Sequence, residues 1–311
     1  MDSSNLAIGM IFLLQTTVGI SGNFCLGHYI FLRFTTCRRR PTDLILQHLI
    51  IANFLVIVSK GVTNTMAALW RTYFFTEVGC KLVFYVHRVG RGVSIGSTTL
   101  LSLFQFITIS PPNSRWAGIK TKLPRWVGIS SLFCWVLFIL TNLVTPLHVT
   151  SKWISRNITT IKDLWYCNSV LRDEVTTSLA SALLLLPDVL CLGLMLWASS
   201  SMVLILYRHK KRVQHLHMTP FPRCAPETRA TQSILMLLSA FVSLYTLSCI
   251  LHACLAAIKN PSLWLENVSV LSAAGFSTIS PYILMSQESQ VPCSCLAWLR
   301  KTPSLTWSWT R

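Results

Sequence analysis

The stretch "YVHRVGRGVS", residues 85–94, sets His87, Arg88 and Arg91 inside a run that otherwise reads as apolar and buried. On a helix, positions i and i+4 share a face, so His87 and Arg91 point the same way with Arg88 beside them. A cationic face of this kind suits an anion or a strong hydrogen-bond acceptor. In hydrocarbon each such cation costs about 3 kcal/mol at the helix centre, so ionisable residues in apolar helices turn toward a bundle interior or a watery cavity. Lys60 and Asp188 fall at comparable depths of two other apolar runs. Together Lys60, His87, Arg88, Arg91 and Asp188 describe a net positive pocket, and they are the candidate ligand-binding residues. A plainer role is open for each: Arg91 can pair with Asp188 and hold two helices together, Arg88 can snorkel toward a polar boundary, and His87 can serve as a hydrogen-bonded interior residue.

The next five residues, "GVSIG" at 92–96, match two motifs at once. One is the G-x-S-x-G elbow of serine hydrolases; the other is the G-x-x-x-G signature of closely packed membrane helices. As an elbow, Ser94 would be a nucleophile with His252 as its base. The elbow requires a strand before the serine, however, and here the pattern sits within one continuous helical run, which favours packing. The chain is read as a non-enzyme with no cofactor and no metal site.

The elements that must position these residues follow from composition. The 311 residues are 52% hydrophobic and only 12% charged, with a mean hydropathy of +0.54, whereas ordinary soluble domains carry about 25% charge. A membrane-crossing helix needs about 20 mainly apolar residues, and such runs lie at 6–32, 44–69, 79–109, 126–146, 176–207, 231–258 and 263–286. The prediction is an all-α membrane protein, one seven-transmembrane bundle over residues 1–311. The last run is the weakest, diluted by Asn267, Ser269, Ser272, Ser277, Thr278 and Ser280. The start, "MDSSNLAIGM", lacks the basic region of a cleaved signal, so the first run is expected to stay as a span. Pro187 and Pro281 fall within helices, where a missing amide bond permits a kink.

Lys and Arg accumulate in cytoplasmic loops. Sorting the 27 basic residues against the seven runs puts 17 on one side, including Arg33, Arg115, Lys120, Lys122, Arg208, Lys210, Lys211 and Arg212, and 7 on the other, with Lys60, Arg88 and Arg91 inside helices. The amino terminus is therefore expected outside and the carboxyl terminus in the cytoplasm. The net charge of +17 is spread over short loops without a recognition module, which points to topology and anionic lipid headgroups rather than nucleic acid. The acceptor sequence "NIT" at Asn157 falls on the outer side and marks a glycosylation site. "NVS" at Asn267 abuts the last helix and is expected to stay bare. Cys80 and Cys167 also lie outside, where they can form a disulfide. Cys293 and Cys295, just past the last run, are either palmitoylation sites or free thiols.

Four stretches, "HLIIANFLVIVSKG" (48–61), "VHRVGRGVSIGSTTLLSLFQFITISPPNSRWAGIKTK" (86–122), "PETRATQSILMLLSAFVSLY" (226–245) and "STISPYILM" (277–285), make the chain resemble the vomeronasal type 1 receptors over nearly its whole length. These are pheromone receptors of the seven-helix, G-protein-coupled class. The resemblance implies a multi-pass plasma-membrane receptor of sensory cells, a pheromone-like small molecule entering from outside, and a heterotrimeric G protein of the inhibitory type engaged inside. Within the wider class, Asn23 resembles the first-helix asparagine, Cys80 and Cys167 the outer disulfide, and Pro281 the seventh-helix proline. Phe104, Gln105 and Phe106 replace the usual acidic residue, arginine and aromatic, Asn53 stands in the place of an aspartate, and "SPYIL" replaces the asparagine-proline motif; these departures suit the vomeronasal group. Gln105, Arg115, Lys120, Lys122, Arg208, Lys210, Lys211 and Arg212, from the 110–125 and 208–229 regions and the adjoining helix end, are the expected G-protein contacts.

Overall fold

A computed structural model describes residues 3–36, 40–70, 76–111, 116–120, 122–151, 161–164, 167–170, 174–216, 235–236, 239–248, 250–251, 254 and 262–287. Within them, six helices are long and apolar enough to cross a membrane, with spans Leu6–Thr35, Pro41–Leu69, Glu77–Ile109, Leu123–Pro146, Leu183–Ile205 and Trp264–Ser286. The expected run at 231–258 is described as a helix over Ser239–Ser248; the rest of it falls largely outside the described residues.

α1 (Ser3–Thr36) runs into α2 (Pro41–Val56) across a tight link. Pro41 opens α2, where its fixed φ is already helical and its missing amide costs nothing. The Asp43 carboxylate accepts from the Arg40 amide at 3.1 Å and lies 3.8 Å from Arg33 at the end of α1, so one carboxylate ties the two ends together. A wider π-helical turn, Ile57–Val62, then carries Lys60 before α3 (Thr63–Trp70) completes the same span. Ser59, Thr63, Asn64 and Thr65 satisfy carbonyls in and around this turn with their own side chains, as backbone freed in an apolar setting requires.

α4 (Glu77–Ile109) is the central helix. Thr76 caps its start by accepting from Gly79, and Ser110 followed by two prolines stops it. Of its apolar window 61% is buried, against 22% for that of α6 (Leu123–Thr141). This asymmetry explains its unusual hydroxyl content: Thr98, Thr99 and Ser102 each donate to the carbonyl four residues earlier, at 2.8–3.0 Å, so small polar residues pack in a dry interior with their bonds closed. The spacing of Gly92 and Gly96 does pack a helix. A Cβ at Gly92 would meet Phe138 at 2.2 Å, and one at Gly96 would meet Cys134 at 2.8 Å. α4 approaches α6 through those two hollows.

Beyond α6 a 3₁₀ segment, Asn142–His148, leads into a three-stranded antiparallel sheet in the order β1-β3-β2: β1 (Val149–Ser151), β2 (Ile161–Leu164) and β3 (Cys167–Val170). Ser151 and Leu164 both pair with Cys167. The membrane-crossing frame is helical throughout, and this small sheet is an addition to it, with strands of 3–4 residues too short to show an alternating pattern. β1 packs against α4 and the 3₁₀ segment. α7 (Glu174–Leu216) carries Pro187, and α9 (Leu263–Gln287) carries Pro281, with α8 (Ser239–Ser248) between them in sequence. Phe24, Leu14, Leu132 and Phe133 remain exposed on the outer faces of α1 and α6, an apolar exterior that suits lipid and not water. A short helix, α5 (Ala117–Lys120), links α4 to α6.

Candidate functional site

Three of the five candidate ligand-binding residues gather between α4, α7 and α8. Arg88, Arg91 and Asp188 lie within electrostatic reach of one another and of Tyr245. Among the described residues no ion pair within 4.0 Å joins either arginine to Asp188; Tyr245 mediates. Its hydroxyl donates to the Asp188 carboxylate, and its ring lies 4.8 Å beneath the Arg91 guanidinium. A desolvated cation over an aromatic face is worth about 2 kcal/mol, which offsets most of the cost of placing Arg91 in the bundle. Arg88 is held separately: its Nε donates to Asn142 Oδ1 at 3.0 Å, and the Asn142 amide donates back to Phe138. Arg91 thus keeps Asp188 within electrostatic reach while Tyr245 touches both, its ring face meeting Arg91 and its hydroxyl meeting Asp188.

Arg91 is also the one member of the five that lines the cavity beside this cluster. Ser94, Ser248, Ser272 and Ser277 contribute hydroxyls to its wall, and Phe241, Tyr245 and Phe276 contribute rings. Phe241 stacks on Tyr245 and meets Phe276 edge-on at 4.9 Å. The cavity is small, about 30 Å³, room for one or two waters. Lys60 sits apart, its Nζ 4.7 Å above the Phe84 ring of α4. His87 is 6% exposed with Nδ1 lacking a hydrogen-bond partner; other contacts engage the residue.

One helical turn deeper, Ser94 belongs to a different arrangement. Its hydroxyl donates to Asn53 Oδ1 at 2.8 Å; the Asn53 amide donates to Ser280 at 2.9 Å and to Asn23 Oδ1 at 3.3 Å; the Asn23 amide donates to the carbonyls of Gly19 and Ser277. Four helices, α1, α2, α4 and α9, meet at this point through neutral hydrogen bonds, with Asn23, Asn53, Ser94 and Ser280 all nearly inaccessible. The hydrolase reading finds no support here: Ser94 spends its proton on an amide, and His252 lies outside the described residues.

At the far end of α4 from the sheet, Lys120 of α5 donates to the carbonyls of Thr108 and Ser110, capping the helix terminus with a cation where the dipole is negative. Trp116 packs edge-on against Phe106, which also meets Trp197 of α7 at 5.1 Å. Gln105 is half-buried there with an unpartnered Oε1. Lys122, Arg208 and Lys211 are exposed. Lys210 and Arg212 continue α7, but their side chains fall outside the description, as do Arg115, Asn157, Cys293 and Cys295 entirely.

At the sheet end, Cys80 is completely buried and disulfide-bonded. Cys167 lies in β3, its side chain outside the described set. Asn267 is 7% exposed within α9, in keeping with an acceptor sequence that stays bare. Tyr245, Asn142 and Phe84, which hold the cations, carried no signal in the sequence beyond their types.

Residues 6–297 match the vomeronasal organ pheromone receptor family. The chain is 54% identical over 302 residues to vomeronasal type-1 receptor 4 of Homo sapiens, spanning 96% of this chain and 100% of that protein. It is 49% identical over 295 residues to vomeronasal type-1 receptor 3 of Homo sapiens, with 94% of each chain covered. At greater distance it is 31% identical over 290 residues to vomeronasal type-1 receptor 90 of Rattus norvegicus, covering 90% of this chain and 91% of that one. The apolar spans make it a multi-pass membrane protein, and the full-length similarity is to receptors, not enzymes. The apolar helices accord with this similarity, and the chain belongs to the vomeronasal pheromone receptor family of G-protein-coupled receptors.

Proposed function

We propose that this chain is one seven-crossing receptor in the plasma membrane, amino terminus outside and carboxyl terminus cytoplasmic, which binds a pheromone-like small molecule beside Arg91 and activates an inhibitory-type heterotrimeric G protein. The 231–258 region, including α8, supplies the remaining crossing. The charge sorting supports this orientation. It puts the sheet, Asn157 as a glycan acceptor and a Cys80–Cys167 disulfide on the outside, and α5 with the basic end of α7 on the cytoplasmic side. There Gln105, Arg115, Lys120, Lys122, Arg208, Lys210, Lys211 and Arg212 are the proposed G-protein contacts.

The observation that carries the ligand assignment is the position of Arg91 on the cavity wall among four serines and three aromatic rings. That lining suits a flat apolar ligand bearing one acceptor or anionic group, such as a carboxylate or a sulfated steroid. Arg88 and Asp188 stand beside Arg91 and set the field there, and Lys60 and His87 are assigned to the same ligand from farther off. The cavity at about 30 Å³ is far below the 300 Å³ or more of an ordinary ligand site, so occupancy requires α8 or α9 to move outward. Pro281 removes a backbone bond that would resist such bending of α9. A ligand that fits only the opened arrangement has the differential affinity needed to shift the population toward it.

Nucleotide exchange on the G protein, measured in cells with verified surface receptor, tests the assignment with matched sulfated and unsulfated steroids. Wild type is expected to prefer the sulfated member. Arg91→Gln is expected to lose that preference, about a tenfold change in half-maximal concentration for a charge-assisted bond. An unchanged preference at equal surface level would sink the role of Arg91.

A further inference from the structure

Residues of α1 and α2 line an apolar groove of about 450 Å³, separate from the lining of the cationic cavity. Phe24, Phe31 and Phe54 line it yet remain 74%, 61% and 46% exposed, and Ile51 is 50% exposed. Gly27 forms part of its floor, and a Cβ there would meet nothing within 4 Å. The groove lies within two membrane spans, so what fills it is lipid. Its one exposed polar group is His28, whose ring lies parallel to Phe24 with centroids 6.5 Å apart. No hydrogen bond to His28 exists among the described residues, in a setting where an unsatisfied ring nitrogen finds no bulk water.

We infer that this groove is a sterol site: His28 hydrogen bonds the single sterol hydroxyl, and the fused rings lie along the wall formed by Phe24 and Phe54, above Gly27. Two features select a sterol over a phospholipid chain. Phe24 and Phe54 set flat rings among the aliphatic side chains of Ile20, Ile50, Ile51 and Leu55, a lining that takes a flat, stiff body, and the polar partner stands at one point, matching one hydroxyl instead of a charged headgroup. From His28 back past Phe24 to Ile20 the α1 wall extends about 12 Å at 1.5 Å per residue, a length that suits a fused-ring body anchored at His28.

The full-length receptor in phosphatidylcholine vesicles is labelled with a photoreactive cholesterol analogue, and the labelled peptides are mapped. Labelling is expected within 20–31 and 50–55, with competition by cholesterol. Gly27→Leu projects a side chain into the open groove without meeting protein atoms and is expected to abolish that labelling while melting normally in sterol-free vesicles. His28→Phe retains the stacked ring without the nitrogens and is expected to weaken competition by cholesterol about fivefold, the worth of one hydrogen bond. A photoreactive phosphatidylcholine that labels the same peptides and is not displaced by cholesterol would identify an acyl-chain groove and overturn the proposal. So would sterol labelling elsewhere, or labelling indifferent to both substitutions.

Discussion

Two clusters of hydrophilic residues lie one helical turn apart in this bundle, and they manage burial in opposite ways. The Asn23, Asn53, Ser94 and Ser280 cluster is neutral, and its donors find acceptors on three neighbouring helices at 2.8–3.3 Å. The Arg88, Arg91, Asp188 and Tyr245 cluster is charged, its arginines held by a ring face and an amide oxygen instead of a carboxylate. A closed neutral network has nothing left to offer an incoming molecule and serves to fix four helices. Cations held by weak, broad contacts keep donors in reserve, and that is the property a recognition site needs.

The contrast breaks most visibly at Asn53. Asn53→Leu leaves Ser94, Ser280 and the Asn23 oxygen with lost partners in a dry interior, at about 1–3 kcal/mol for each orphaned group. Thermal unfolding of the purified receptor is expected to show a loss of at least about 3 kcal/mol, along with a sharp fall in surface level. Retention of wild-type stability would mean that the neutral cluster is not structural. An intermediate effect is expected from Tyr245→Phe, which keeps the ring under Arg91 and removes only the hydroxyl that Asp188 accepts. Stability should drop by about 1.5 kcal/mol, the share of a hydrogen bond to a charged group, while ligand response changes more than surface level does. Ser94→Ala should have the smallest effect on stability, about 0.6 kcal/mol for one interhelical bond in a membrane protein, with the preference for a sulfated ligand, assigned to Arg91, retained. A larger effect on response than on stability would join the two clusters into one functional unit and erase the distinction.

Much of the frame was legible in the residues. Six helices coincide closely with apolar runs because length and hydropathy are the very properties that let a helix cross lipid. The reading of "GVSIG" as a packing motif rested on its helical context, and the hollows filled by Phe138 and Cys134 have that cause. What the sequence could not convey was rotation about each helix axis relative to its neighbours. Arg91 and Asp188 look like natural partners along the chain, and only the fold shows that Tyr245 of α8 touches both of them. Lys120 read as one basic loop residue among many, and only its approach to the α4 carbonyls makes it a cap. The strands of the 149–170 region escaped notice because 3–4 residues of mixed polarity carry no periodicity.

The wide turn at Ile57–Val62 sets the heading of the residues that follow it. A π turn accommodates one residue more than an α-helix would, so everything beyond it is rotated by about 100° from its uninterrupted heading. Gain or loss of a single amino acid in that segment would re-aim Lys60 away from Phe84 while leaving the rest of the span long enough to cross. One residue in that segment thus decides which side chain meets the third span, at no cost to the length of the second.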